Sequence, residues 1–331
     1  VKPSTAQSVL HPAAGSGAEL LYELGSVLYI GATAIFVLVM VLAVYAVFAK
    51  GKPVDARKWV IGGGLIFPAV TLTMLLVYSL AIGNGLSAIG SSNALQLFLD
   101  CFGVGSASSR VQNDSVLRIE VVGKQWWWEV RYPQSSGSVI LANEIHIPVN
   151  RPVELVLSSS DVIHSFWAPS LAGKVDMIPG RTTRLRLQTS EEGVFRAQCA
   201  EYCGGQHALM SLFVVTHDQD EFDAWLSQEA RPAAGSGDEF LGIGYDAFFK
   251  GDCHSCHTIR GTPANGTDGP DLTHVGGRRS LAAGVLNNHI GTMAGWIAGA
   301  QDIKPGSNMP SDPVFTGEEL RALAAWLGSL E

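Results

Sequence analysis

The sequence predicts a multidomain membrane protein: a two-helix transmembrane hairpin, then a β-sandwich or barrel, then a small all-α domain. Three observations predict it. Two long apolar runs near the N-terminus carry no charge. A two-residue hydrophobic alternation fills residues 114–217. After residue 238 that alternation gives way to helical periodicity and turn-rich connections.

The 331 residues suffice for about two domains and some extra, at roughly 150 per domain. Apolar residues make up 47% and charged residues 16%, the latter well under the usual ~25%. That composition excludes a disordered chain. It also implies that some apolar mass lies outside a water-soluble core. The net charge of −8, from 22 basic and 30 acidic residues, lacks the basic footprint that nucleic acid requires, so no nucleic-acid partner is expected. Five cysteines are too few for a small disulfide scaffold. Residues 1–83 are net positive, whereas 84–237 and 238–331 are both net negative.

The hairpin occupies residues 20–83, after an outer segment at 1–19. Residues 24–49 contain no charge, and a second uncharged run covers 59–82. About 20 apolar residues span a bilayer, and core helices rarely run so long without a charge. Pro68 and the Gly62-Gly63-Gly64 triplet are tolerated in membrane helices. Between the runs, Lys50-Gly51-Lys52-Pro53-Val54-Asp55-Ala56-Arg57-Lys58 is a basic loop, which the positive-inside rule places in the cytoplasm. The N-terminus and everything after the second helix are then expected on the outer, periplasmic side. Tyr22, Tyr29, Trp59 and Tyr78 suit interfacial positions. A chain that begins with Val fits removal of an N-terminal signal peptide.

Residues 84–113, rich in Gly, Ser and Asn, read as a loop with an apolar patch at 95–102. Residues 230–237 read as a linker, and 12–17 repeat 232–237 letter for letter, as biased flexible sequence. The domain between, 114–229, alternates at Leu117, Ile119 and Val121, at Val153, Leu155 and Leu157, and at Leu185 and Leu187. Further strands fall at 139–149 and 212–216, and a closing helix at 220–228. In the last domain, 238–331, helices are expected at 238–250 and 317–330. Thr316 and Glu319 form a capping box before the second, whose Leu320, Leu323, Ala324 and Leu327 share a face. So little regular core calls for a staple such as a cofactor.

The segment Cys199-Ala200-Glu201-Tyr202-Cys203-Gly204-Gly205-Gln206-His207-Ala208-Leu209-Met210 concentrates soft metal ligands, and His164 lies upstream. Thiolate, thioether and imidazole together select copper. Two thiolates four residues apart can each bridge a pair of copper ions, with one His on each and Met plus a backbone carbonyl as caps. Sharing one electron over two metals suits electron transfer more than substrate chemistry. The competing readings are a Cys199–Cys203 disulfide and tetrahedral zinc on Cys199, Cys203, His207 and His164; neither uses Met210. His146 and His217 are given no role.

Cys253-His254-Ser255-Cys256-His257 is the attachment motif of c-type haem, with His257 as axial ligand and His254 facing solvent. Met293 and Met309 are the candidates for the sixth ligand. A redox dithiol or zinc pair is the competing reading. Cys101 belongs to neither cluster.

These motifs resemble two families. Gly123-Lys124-Gln125-Trp126-Trp127-Trp128, Asp161-Val162-Ile163-His164, Lys174-Val175-Asp176, Ile178-Pro179-Gly180-Arg181 and the 198–210 segment resemble cytochrome c oxidase subunit II. The resemblance covers about residues 20–228 and implies a cupredoxin-like β-barrel holding the dinuclear CuA centre. It implies Cys199 and Cys203 as bridges and His164, His207, Met210 and the Glu201 carbonyl as terminal ligands. It further implies a magnesium reached by the Glu201 side chain, and Trp126 as the point where electrons come in, a core aromatic being the alternative. Lys124 stands where the family usually has His. Residues 238–331 resemble class I cytochrome c: Met309 before Pro310 matches the axial Met, and Gly269-Pro270-Asp271-Leu272 the loop whose Pro carbonyl accepts from the axial His.

Together the resemblances imply the electron-input subunit of a haem–copper terminal oxidase in a bacterial inner membrane. Electrons would pass from cytochrome c or another small redox protein to haem c (Cys253, Cys256, His257, Met309), then to CuA, then to haem in subunit I. Subunit I, with its haem and CuB, and subunit III are the implied partners, and oxygen reduction with proton pumping would occur in subunit I. The rivals are a CuA-bearing nitric oxide reductase subunit and a free-standing membrane-anchored electron carrier.

Overall fold

The computed structural model describes residues 14–48, 55–87, 116–135, 137–233, 237–311 and 314–331. Two compact units emerge: one holds the helical hairpin, the other residues 14–16 with everything from 116 onward. Most of the basic loop, the apolar patch at 95–102 and Cys101 lie outside the described residues.

Helix α1 spans Ser16–Phe48. Helix α2 opens at Ala56–Lys58, runs as a π-helix over Trp59–Ile66 and returns to α geometry over Phe67–Ser87. It therefore runs past the expected end at residue 83. The wider turn contains the three glycines and ends just before Pro68, whose ring cannot supply an N–H to the ladder. Asp55 caps α2 by accepting from the N–H groups of Arg57 and Lys58. Both helices are long and apolar enough to cross a membrane, and Tyr29, Phe36, Tyr45, Trp59 and Leu72 stand exposed along them.

The β domain is a two-sheet sandwich. Its strands are β1 (Leu117–Lys124), β2 (Trp127–Gln134), β3 (Gly137–Ala142), β4 (Glu144–Pro148), β5 (Val153–Ser159), β6 (His164–Trp167), β7 (Val175–Met177), β8 (Thr183–Leu187), β9 (Gly193–Cys199) and β10 (Ser211–His217). One sheet runs β3-β2-β1-β5-β8 and the other β4-β10-β9-β6-β7. The expected run at 139–149 is two strands, because Asn143 adopts a left-handed conformation (φ 62°) and sends the chain to the second sheet. The alternating residues Ile119, Val121, Val153, Leu155, Leu157 and Leu187 are buried between the sheets with Trp128, Tyr132 and Phe166. Glu154, on the polar side of that alternation, is also buried, because Arg118 of β1 (3.1 Å) and Arg184 of β8 (2.6 Å) flank its carboxylate.

Helix α3 (Gln219–Glu229) closes the sandwich, laying Phe222 and Trp225 on Tyr132. Gly15 and Ser16 are tied to it as well: Gly15 N–H donates to Ser170 O (3.1 Å) and Ser16 N–H to Gln188 O (3.2 Å).

The last domain is predominantly helical: α4 (Glu239–Lys250), a two-residue hairpin of β11 (Ser280–Leu281) and β12 (Leu286–Asn287), α5 (Ile290–Ala298), α6 (Ala300–Ile303) and α7 (Gly317–Gly328). Thr316 and Glu319 form the expected capping box. Leu323, Ala324 and Leu327 of α7 are buried against Phe248 of α4 and Met293 of α5, with Leu320 partly buried at the margin. The preceding linker is pinned where it is described: Ala233 N–H donates to Arg260 O (2.8 Å), and His274 Nε2 meets Arg231 O (3.0 Å).

Candidate functional site

The two ends of β9 and β10 and the loop between them carry the cysteine cluster. Cys199 ends β9, Cys203 follows in the turn, His207 begins a short 3-10 helix (His207–Leu209), and Met210 leads into β10. His164 begins β6, which pairs with β9. Their donor atoms converge. The Sγ atoms of Cys199 and Cys203 lie 3.9 Å apart, too far for a bond between them. His164 Nδ1 is 3.9 Å from Cys199 Sγ, and His207 Nδ1 is 3.6 Å from Cys203 Sγ. Met210 Sδ is 3.3 Å from Cys203 Sγ, and the Glu201 carbonyl is 3.1 Å from Cys199 Sγ. Two thiols, two imidazoles, a thioether and a carbonyl exceed the four donors of a tetrahedral zinc site, and their softness fits copper.

The electrostatics agree. The hydrogen bond shared with Cys203 holds Cys199 well below the usual thiol range. The same bond, burial and the adjacent negative charge push Cys203 up. Two thiolates this close persist only with cationic charge between them, which metal ions supply. Burial opposes a charged His164, but hydrogen bonds to Cys199 and Asp161 outweigh it and raise its pKa.

The Asp161 and Gly123 stretches stand out in the sequence, but no motif there assigns either residue a task. Asp161 Oδ1 accepts from His164 Nε2 at 2.8 Å, which turns Nδ1 toward the sulfurs. Asp161 Oδ2 accepts from Gln125 N–H at 2.6 Å. Gly123 lies under the His164 ring: a Cβ there would sit 2.8 Å from Cδ2. Trp126 is partly buried, and its Nε1 donates to the Cys203 carbonyl at 3.1 Å. Lys124, at the expected His position, pairs with Glu129 at 2.9 Å and lies over Trp127. Glu201 and Tyr202 are exposed.

In the last domain, Cys253 opens a 3-10 turn (Cys253–Ser255) that Cys256 closes and that delivers His257. His257 Nδ1 donates to Pro270 O at 2.7 Å, leaving Nε2 available to a metal. Burial lowers the His257 pKa and favours the neutral, ligating imidazole. The ring is packed so closely on Gly269 that a Cβ there would lie 2.6 Å from Cε1. Met309 is partly buried at the core's edge; Met293 is fully buried within α5. These residues fit a covalently held haem. His254 is only partly exposed, because its ring packs on Phe249 at 5.0 Å.

Residues 134–217 match the family model of the periplasmic domain of cytochrome c oxidase subunit II, and residues 243–331 match that of cytochrome c. The chain carries a subunit II periplasmic domain followed by a cytochrome c domain. Among curated relatives, cytochrome c oxidase subunit 2 of Alkalihalophilus pseudofirmus is 35% identical over 66% of this chain and 62% of its own length. That of Bacillus sp. strain PS3 is 30% identical over 69% of this chain and 66% of its own length. The chain thus spans just under two thirds of these relatives. Among solved structures, the periplasmic domain of subunit II of Bradyrhizobium japonicum cytochrome oxidase is 31% identical over 34% of this chain and 92% of that one, with a TM-score of 0.33.

The cysteine cluster is therefore a CuA-type site, set in a subunit II domain. Two further features, one inside this domain and one reaching it from the next, are not legible in the motifs. His146 and His217, given no role, hydrogen-bond each other at 2.8 Å, and His146 stacks on Trp225 at 4.0 Å, which makes them packing residues of the α3 seam. Lys304 of the cytochrome c domain reaches the subunit II domain and donates to Trp126 O at 2.6 Å. Burial lowers its pKa to about 7, against the opposing pull of Cys203.

Proposed function

We propose that this chain is the electron-input subunit of a haem–copper terminal oxidase, anchored in a bacterial inner membrane by α1 and α2, with both redox domains on the periplasmic side. The observation that carries the reading is the pairing, in one compact unit, of a converged two-Cys, two-His, Met and carbonyl donor set with a CxxCH turn whose His is pre-oriented. Cys199 and Cys203 would bridge two copper ions, with His164, His207, Met210 and the Glu201 carbonyl as terminal ligands. Cys253 and Cys256 would hold haem c, with His257 and Met309 as axial ligands. When bound, the two centres supply one-electron storage in series, which suits relay and not bond making.

The chain's own residues prepare that relay. Asp161 fixes the tautomer of His164, and Pro270 that of His257. Trp126 links the Cys203 peptide to the face where electrons would arrive from haem c. The exposed Glu201 and Tyr202, with the half-exposed Val162 and Ile163, leave the neighbouring face open for subunit I. There the Glu201 carboxylate would reach a magnesium shared with that subunit. Subunit III and a small external redox protein, such as a cytochrome c, complete the partners we infer.

Metal and haem analysis of the complex purified in mild detergent, with oxygen and nitric oxide turnover measured side by side, tests the reading. Two coppers and one covalent haem per chain, a haem-bearing partner and oxygen consumption are expected. Nitric oxide turnover alone would assign the relay to a reductase. A chain that purifies alone would make it a free carrier.

A further inference from the structure

The cytochrome c domain meets the subunit II domain through a short seam. Lys304 follows α6 in the loop that leads to Met309, and it is 3% exposed. Its Nζ donates to the carbonyls of Trp126 (2.6 Å) and Ala282 (3.2 Å). An ammonium is costly to bury unless its hydrogens find acceptors, and here two backbone oxygens accept from it, one from each domain. The next residue in the loop is held as well: Gln206 Nε2, beside His207, donates to Pro305 O at 2.7 Å.

Backbone conformation supplies a second, independent observation. Ala282 (φ 53°) and Ala283 (φ 60°) are both left-handed, a conformation that is unfavourable for any residue bearing a Cβ. The carbonyls so turned are the two that serve the seam. Ala282 O accepts from Lys304, and Ala283 O accepts from Ser211 N–H at 2.9 Å. Unfavourable backbone persists where surrounding contacts hold it: the Ala283–Ser211 bond joins the two domains, and the Ala282–Lys304 bond ties the turn to the lysine that reaches across. Arg279 N–H extends the seam to Glu144 Oε1 at 2.5 Å.

We propose that Lys304 is a positioning residue that latches the Met309 loop of the cytochrome c domain onto Trp126, so that the two redox centres are held at one fixed separation. The proposal rests on the two-centre relay above. Electron transfer slows steeply with distance, so a latch at this point would set the rate of the step between the centres without touching either set of ligands. It would also cover the Trp126 face with the chain's own cytochrome, leaving an external donor to deliver electrons to the cytochrome domain.

The test uses the full-length complex with Lys304→Met, which keeps an apolar stem and removes the donors. Hydrogen exchange read at the Ser211 and Arg279 amides should quicken roughly tenfold or more as the seam opens. After flash reduction by ruthenium tris(bipyridine), copper reduction by haem should slow by a similar factor, with the haem absorbance and the copper EPR signal unchanged. A merely structural lysine would disturb those spectra. Unchanged exchange, or an unchanged haem-to-copper rate, overturns the latch. If Lys304→Met loses its haem, Gln206→Ala decides by the same two readouts from the opposite side of the seam. Absence of copper or covalent haem in the wild-type chain would instead overturn the relay itself.

Discussion

Trp126 grips the peptide of Cys203: its indole Nε1 donates to the Cys203 carbonyl at 3.1 Å. Gln125 Nε2 donates to the same oxygen at 2.7 Å. The aromatic therefore touches the backbone of a clustered cysteine on one side and, through its own carbonyl, Lys304 on the other. Trp126→Phe keeps a ring and removes one of the two donors to Cys203. Gln125 still satisfies the carbonyl, so copper content should be unchanged. Copper reduction should slow roughly fivefold, the kinetic equivalent of a hydrogen bond worth about 1 kcal/mol. Rapid-reduction kinetics with copper EPR check this, and an unchanged rate at full copper would leave Trp126 as packing alone.

Asp161→Asn should weaken the copper site without unfolding the sandwich. The carboxylate accepts from His164 Nε2, from Gln125 N–H and from Val162 N–H at 2.6 Å. Asn keeps one acceptor oxygen and turns the other into a donor, so either His164 or the Gln125 turn loses its partner. The charge that makes His164 Nδ1 a better ligand is lost in either arrangement. Such substitutions beside a metal ligand typically cost about 10–100-fold in affinity. Chelator competition followed by EPR measures it, and equal copper retention in both proteins would refute the orienting role.

Much of this was legible in the sequence where the determinants are local. Cys199, Cys203, His207 and Met210 fall within one turn and its flanks, and the CxxCH motif is shorter still, so spacing alone brings those side chains together. The strands were legible at Leu117–Val121 and Val153–Leu157 because one face is buried and the other is not. Glu154 shows where that logic stops: its burial depends on arginines from two other strands. Lys304 reads as a surface lysine in a turn. Its carbonyl partner Trp126 is 178 residues away, a contact that no local pattern encodes. Gly123 and Gly269 likewise look like ordinary turn or strand glycines until the imidazoles above them are placed.

Those two glycines make a matched pair of tests. Gly123→Ala would place a Cβ 2.8 Å from His164 Cδ2, and Gly269→Ala would place one 2.6 Å from His257 Cε1. Each ring must shift: that of His164 against its hydrogen bonds to Asp161 and Cys199, that of His257 against its bond to Pro270. Gly123→Ala should distort the copper EPR signal and leave the haem spectrum untouched. Gly269→Ala should lower the haem potential and leave copper untouched. Cross-effects in either variant would mean that the two sites are not independently positioned.

Glu319 should make the cytochrome c domain sensitive to acid. The Lys250 ammonium at 2.6 Å and the Thr316 N–H hold its carboxyl below the usual range. A carboxyl lowered by folding binds fewer protons folded than unfolded. Its contribution to stability is therefore complete above the ordinary carboxylate pKa and is lost as pH falls through the folded value. Lys250→Met should cost stability near neutral pH, with the gap to wild type closing as pH falls through and below the ordinary carboxylate range. Denaturant unfolding of the full chain, followed at the haem, reads the gap. A gap of constant size across that range would assign the loss to packing of the lysine stem.

The assignment of Met309 over Met293 can be decided without touching either residue. Gln301 gathers the loop between them: Nε2 donates to Ser307 O at 2.8 Å and to Met309 O at 2.6 Å, while Oε1 accepts from Gly306 N–H at 2.9 Å. Gln301→Glu keeps the shape and the acceptor. It replaces the donor with a second oxygen aimed at two carbonyl oxygens, an arrangement that costs about 1–3 kcal/mol in unmet hydrogen bonds. The loop must then move, carrying Met309 with it, whereas Met293 stays fixed inside α5 at 2% exposure. If Met309 is the ligand, the variant loses the sulfur-to-iron charge-transfer band, its haem binds carbon monoxide and its potential falls, since Met ligation raises it. If the band and the potential survive while the loop exchanges faster, the sulfur on the iron belongs to Met293.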